Sequence, residues 1–126
     1  MNPLPKLEEW LARNTNEIAE IIEFTRSYCD PAPDKLNEMA AEINCKAANA
    51  GYLLADIESY LVTETALVLK NADSSMTQIE KKSLVDVGTN DILRLRDNLR
   101  VACRSLRSMG INVMSLRKYQ SGGEKK

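Results

Sequence analysis

Apolar residues recur at helical spacing along almost the whole chain, and no run alternates apolar with polar residues as a half-buried strand would. Leu7, Trp10, Leu11, Ile18, Ile21 and Ile22 predict a first helix over 5–28, with Glu8, Glu9, Glu17, Glu20 and Glu23 between them. Pro5 suits a first helical turn, whereas Pro31 and Pro33 forbid continuation. A long second helix is expected over 34–70. There Leu36, Ala40, Ile43, Ala47, Ala50, Leu54, Ile57, Leu61 and Val68 follow a seam of alternating fours and threes, interrupted at Glu64. Such a helix would be about 55 Å long at 1.5 Å per residue, too long for a compact globule of this size. Its small residues Ala40, Ala47, Ala50 and Gly51 permit close helix approach. Asn71-Ala-Asp-Ser-Ser75 is a turn by composition. Thr77 and Glu80 form a capping box that starts a short helix over 78–87. Gly88-Thr-Asn90 is expected to interrupt or kink it.

The last helix, over 91–118, has the cleanest pattern. Ile92, Leu95, Leu99, Ala102, Leu106, Met109, Val113 and Leu116 are spaced 3, 4, 3, 4, 3, 4, 3. Gly110 lies inside this run, and residues 120–126 read as a disordered tail. The pattern predicts a single all-α domain of long antiparallel helices, a helical bundle or coiled-coil-like assembly. Heptad stripes of this length ask for partner helices. Aromatics make up only 5% of the 126 residues, so part of the apolar surface is expected to be covered by another subunit. The expected oligomer seam comprises Leu95, Leu99, Leu106, Met109 and Val113 with Leu54, Ile57 and Leu61, and a homo-oligomer follows.

Charge changes the picture more than composition does. The net charge is −1. Residues 1–80 hold 6 Lys/Arg against 14 Asp/Glu, and residues 81–126 hold 11 against 4. This segregation points to an anionic partner at the C-terminal end, or to one subunit's tail meeting another's head. Arg96, Arg100, Arg104 and Arg107 are spaced 4, 4 and 3, which confines them to an arc of about 80°, roughly 100–180° round the helix from Leu95. Guanidinium groups fit phosphate oxygens bidentately, and a row of them can track a nucleic-acid backbone. Lys81, Lys82, Arg94, Arg117 and Lys118 would extend the patch. Tyr119 is the only aromatic in this half, so binding would run through phosphates with little sequence preference. The same row would equally suit plain solvent, or pairing with the acidic half of its own or a neighbouring subunit.

Conventional catalysis finds little here. The chain has no His, which removes the commonest general base and metal ligand. Cys29, Cys45 and Cys103 lack a CxxC spacing and read as small core residues of a reducing compartment. Neither GxxxxGK[ST] nor GxGxxG occurs. Carboxylates at helical spacing, Glu38 with Glu42 and Asp56 with Glu64, read as a solvated acidic face. No catalytic activity, cofactor or metal is expected. No positively charged start leads into an apolar run, so no signal peptide is expected. No apolar stretch reaches the about 18 residues of a membrane span, so a cytoplasmic protein without a membrane partner is expected.

The stretch Ile79-Glu-Lys-Lys-Ser-Leu-Val-Asp-Val87, then Leu99-Arg-Val-Ala-Cys103-Arg-Ser-Leu106-Arg-Ser-Met-Gly110-Ile, then the Gly- and Lys-containing tail, resembles the UvsY-like family of phage recombination mediators. The likeness covers about residues 50–126, and the order of a long helix, polar loop, short helix and final helix matches. The resemblance implies a non-enzymatic accessory protein of phage-type recombination or replication, acting in the host cell cytoplasm. Such a protein forms a ring-like oligomer, binds single-stranded DNA and helps a RecA-like recombinase replace single-strand-binding protein. In that family the DNA-contacting Lys and Arg lie in the long middle helix. Here the corresponding stretch, Glu64-Thr-Ala-Leu-Val-Leu-Lys70, keeps Lys70, and the arginine row of the last helix would carry the rest. The alternative is a helical protein-interaction module, an inhibitor or adaptor of a protein partner, without nucleic-acid binding.

Overall fold

The computed structural model describes residues 4–124, with side-chain surroundings as far as Gln120. Among the described residues the chain forms three α-helices and no strand: α1 (Leu7–Arg26), α2 (Leu36–Lys70) and α3 (Gln78–Glu124). Glu8 and Glu9 sit in the first turn of α1, where carboxylates complement the helix dipole. At its end the Ser27 backbone N–H and hydroxyl both donate to the Glu23 carbonyl, each at 2.9 Å. The segment through Pro31 has no regular structure, and Ala32 is extended before a 3-10 turn, Pro33–Lys35, leads into α2. The first helix is thus shorter than the expected 5–28, and the second begins two residues later than expected.

Asp73 accepts the Ser75 N–H at 3.0 Å, and that bond holds its carboxyl below the usual range. Thr77 then starts α3: its hydroxyl accepts the Glu80 N–H and donates to the Glu80 carboxylate, both at 3.2 Å. The expected break at Gly88-Thr-Asn90 does not occur, and the two expected helices, 78–87 and 91–118, are one. Two local features carry the helix through. A Cβ on Gly88 would stand 2.9 Å from Val68 Cγ2, so this glycine serves the close approach of α2. Thr89 is buried, and its hydroxyl donates to the Val85 carbonyl at 2.7 Å. The expected tail over 120–126 is corrected as well: α3 continues to Glu124, while residues 125 and 126 lie outside the described residues. At 1.5 Å per residue α3 is about 70 Å long.

Val68 meets Gly88, Glu58 meets Arg100 and Ile43 meets Gly110, so α3 descends as α2 ascends. Their facing stripes supply most of the core: Ile43, Ala50 and Ile57 from α2, and Ile92, Leu99, Ala102, Leu106, Met109 and Val113 from α3. The seam expected between subunits is therefore closed within one chain. Leu99, Leu106, Met109, Val113 and Ile57 are buried, and Leu54, Leu61 and Leu95 pack half-buried against them. The polar turn at 71–77 makes this possible by folding one stripe back on the other.

The first helix lies along one side of this hairpin through Trp10, Ile18 and Ile21. The Trp10 indole donates to Asp56 at 2.9 Å and meets Tyr60 edge-on, with ring centroids 5.8 Å apart. The Tyr60 hydroxyl donates to the Pro5 carbonyl. Burial, and next the Asp56 charge, push that hydroxyl's pKa up. Farther along, Asn49 donates to Glu17 at 3.0 Å. Asn112 ties the connecting segment to α3 through Tyr28 (2.8 Å) and Asp30 (2.7 Å).

The glycines of α3 give opposite predictions. A Cβ at Gly110 would meet Ile43 Cγ2 at 3.7 Å, an ordinary contact. Gly110→Ala should therefore raise stability by about 0.5–1 kcal/mol through helix propensity. Gly88→Ala should lower it, because the crowded Val68 is stiff about χ1. Urea midpoints of the two variants, moving in opposite directions from wild type, are the expected result.

Candidate nucleic-acid interface

Helical geometry separates two flanks of the α2/α3 pair. Measured from Ile57, the α2 residues that meet α1 (Lys46, Asn49, Asp56 and Tyr60) lie at about 260–340°. Ala47, Gly51, Ala55 and Glu58 lie at about 80–160°, on the opposite flank, and all are exposed. On α3, Asn98, Val101, Ala102 and Ser105 line the cleft against Ile22, Thr25 and Arg26 of α1, at about 240–340° from Leu95. The arginine row, at about 100–180°, faces away from α1.

Within the row the four guanidinium groups are not equivalent. Arg96 is mostly covered and pairs with its neighbour Asp97 at 3.1 Å. Arg100 reaches across to Glu58 on α2 at 3.3 Å, with both side chains close to half exposed. An ion pair that wet is worth under about 1 kcal/mol. Arg104 and Arg107 are exposed and form no ion pair with any described residue. Pairing between the row and the acidic half of the same chain is thus confined to Glu58. The five glutamates of α1 stand on the other side of the molecule.

The remaining predicted basic residues divide. Lys82 and Lys118, both exposed, fall at about 140° from Leu95, in line with the row. Lys81 and Arg117, at about 40°, turn toward the seam, and Lys81 is half-buried. Arg94 projects on the α1 side, at about 260° from Leu95. Lys70 is exposed at the end of α2, at about 220° from Ile57, off the flank that carries the row. The structure thus brings Lys82, Arg96, Arg100, Arg104, Arg107 and Lys118 to one face and leaves Lys70, Lys81, Arg94 and Arg117 off it.

Three features of this face escape a reading of the charge pattern. Glu58 is one, because its position opposite Arg100 depends on the register of the hairpin. The others are Ile111 and Met114, which are 58% and 55% exposed and continue the line of Arg107 toward Lys118. Their offsets from the apolar seam are the signal that would have found them. The cysteines also depart from expectation. All three are free, and Cys29 and Cys45 are exposed rather than core residues. Cys103 is half-buried, and burial raises its thiol pKa, which keeps it protonated and weakly nucleophilic at neutral pH.

Among the described residues no group of three or more Cys, Asp or Glu is placed to hold a metal ion, and no helix is long and apolar enough to cross a membrane. Comparison with protein-family models, curated proteins and solved structures finds no match for this chain.

Proposed function

We propose that the protein is a non-enzymatic accessory factor that holds single-stranded nucleic acid by its phosphates along the α3 arginine face. The observation that carries this reading is the exposure of Arg104 and Arg107, free of carboxylate partners among the described residues and aligned with Lys82 and Lys118. Arg100 and Arg104 are four residues apart, a rise of about 6 Å, and Arg107 follows after about 4.5 Å. Guanidinium groups stepped in this way can take successive phosphates of an extended strand. Arg100 would exchange a weak, wet ion pair with Glu58 for a phosphate at little cost. The resemblance to the UvsY-like mediators supports a narrower role, helping a RecA-like recombinase displace single-strand-binding protein during phage-type recombination.

The test is binding of a labelled single-stranded oligonucleotide at several salt concentrations. Arg104→Ala with Arg107→Ala should weaken binding equally on different sequences and lower the salt slope by about 0.7 for each lost contact. Both side chains lie outside the core, so circular dichroism should stay unchanged. No wild-type binding at low salt would sink the reading. It would favour the second one, a protein-interaction module, for which exposed Ile111 and Met114 beside Arg107 provide the supporting observation.

A further inference from the structure

The exposed side of α1 carries its own pattern. Glu8, Ala12, Asn16, Ala19 and Glu23 are spaced 4, 4, 3 and 4, and all are exposed. They form a ridge of small residues with acidic ends, and Glu9 and Glu20, also exposed, flank it on one side. Two basic residues interrupt the acidic surface of α1: Arg13 falls between Glu9 and Glu20 on the flank, and Arg26 stands in line with Glu8 at the other end of the ridge. On the far side of the molecule the arginine row stands beside an exposed flank of α2 made of Asn44, Ala47, Ala48, Gly51 and Ala55. Glu58 is the one carboxylate that reaches the row from α2. A Cβ built on Gly51 would meet nothing within 4 Å among the described residues, so no contact with them accounts for a glycine in mid-helix. Low side chains on this flank leave room for another helix to lie close, with the arginines along its edge. Glu20 and Glu23 stand three residues apart at the C-terminal end of the ridge, as Arg104 and Arg107 do on the face, about 4.5 Å in each case.

We infer that the α2/α3 face bearing Arg104 and Arg107 receives the acidic outer ridge of α1 from a second copy of this chain. Because ridge and face lie on opposite sides of one protomer, the contact is heterologous. Each copy that offers its ridge still has its own face open, so copies stack face to back until a ring closes or a filament grows. This interface is not the heptad seam, which is closed inside each chain, and its strength is electrostatic and therefore salt-dependent. The inference does not rest on nucleic-acid binding, although a strand and a neighbouring α1 would compete for the same guanidinium groups.

Two charge-reversal variants test it by sedimentation velocity. One is Glu20→Lys with Glu23→Lys on the ridge; the other is Arg104→Glu with Arg107→Glu on the face. All four positions are exposed, and circular dichroism checks that each variant is folded. In about 0.01 M salt, where the screening length is about 30 Å, wild type should sediment as species that grow with concentration. In about 1 M salt, with screening at about 3 Å, it should return to monomer. Each variant alone should stay monomeric in low salt. An equimolar mixture should associate again, since the reversed ridge fits the reversed face and the native ridge fits the native face. A wild type that stays monomeric in low salt overturns the inference, as does association undiminished in either variant, or a mixture that remains monomeric. A neutral ridge variant, Glu20→Gln with Glu23→Gln, keeps every arginine and adds no cation. Its binding of a single-stranded oligonucleotide, lost or kept on adding Arg104→Ala with Arg107→Ala, reports on the nucleic-acid reading separately, whatever becomes of the stacking.

Discussion

Leu106→Ala is expected to destabilise the protein by about 2–5 kcal/mol, by lost transfer energy plus the cavity left behind. Leu106 is fully buried on α3, within the seam that α2 closes. Typical domains are stable by only about 5–15 kcal/mol, so this one truncation removes a large share of the total. Leu99, also fully buried, should behave alike, whereas half-buried Leu95 should cost less. The measurement is urea denaturation followed by circular dichroism at several protein concentrations. Because both stripes belong to one chain, the loss on Leu106→Ala should not change with concentration. A loss that grows on dilution would place the seam between subunits instead.

The two heptad stripes are legible in the sequence because a 3–4 spacing reports only local helix geometry. Where each stripe finds its partner is not local. It depends on whether residues 71–77 reverse the chain, and the same spacing suits a partner subunit equally well. Gly88 shows how composition misleads in the other direction. A glycine followed by threonine and asparagine reads as a break, yet the glycine admits Val68 and the threonine hydroxyl satisfies itself on Val85. The first explanation requires knowing that α2 passes alongside, whereas the second is a bond within α3 itself. The arc of the arginine row follows directly from spacing, whereas the standing of each arginine does not. Arg100 is engaged because the hairpin register puts Glu58 opposite it, and Arg104 and Arg107, farther along, stay open. Arg94, by contrast, is off the row by helical spacing alone, at about 260° from Leu95.

Trp10→Ala should have an effect of comparable size but confined in extent. Trp10 is buried at 3% exposure and makes three kinds of contact at once: apolar burial, an edge-on meeting with Tyr60 and a hydrogen bond to Asp56. Truncating a buried aromatic costs about 3–5 kcal/mol, to which an aromatic pair contributes about 0.5–1.5. Trp10→Phe keeps most of the volume and loses the indole N–H. Asp56 is only partly buried and can turn to water, so that change should cost about 0.5–1.5 kcal/mol. The alanine variant acts on the docking of α1 rather than on the hairpin, whose seam between α2 and α3 it leaves intact. Native-state hydrogen exchange should therefore show the amides of α1 losing protection while those of Ile57, Leu99 and Leu106 keep most of theirs. Uniform loss across all three helices would mean that α1 and the hairpin fold as one cooperative unit, with α1 essential to both.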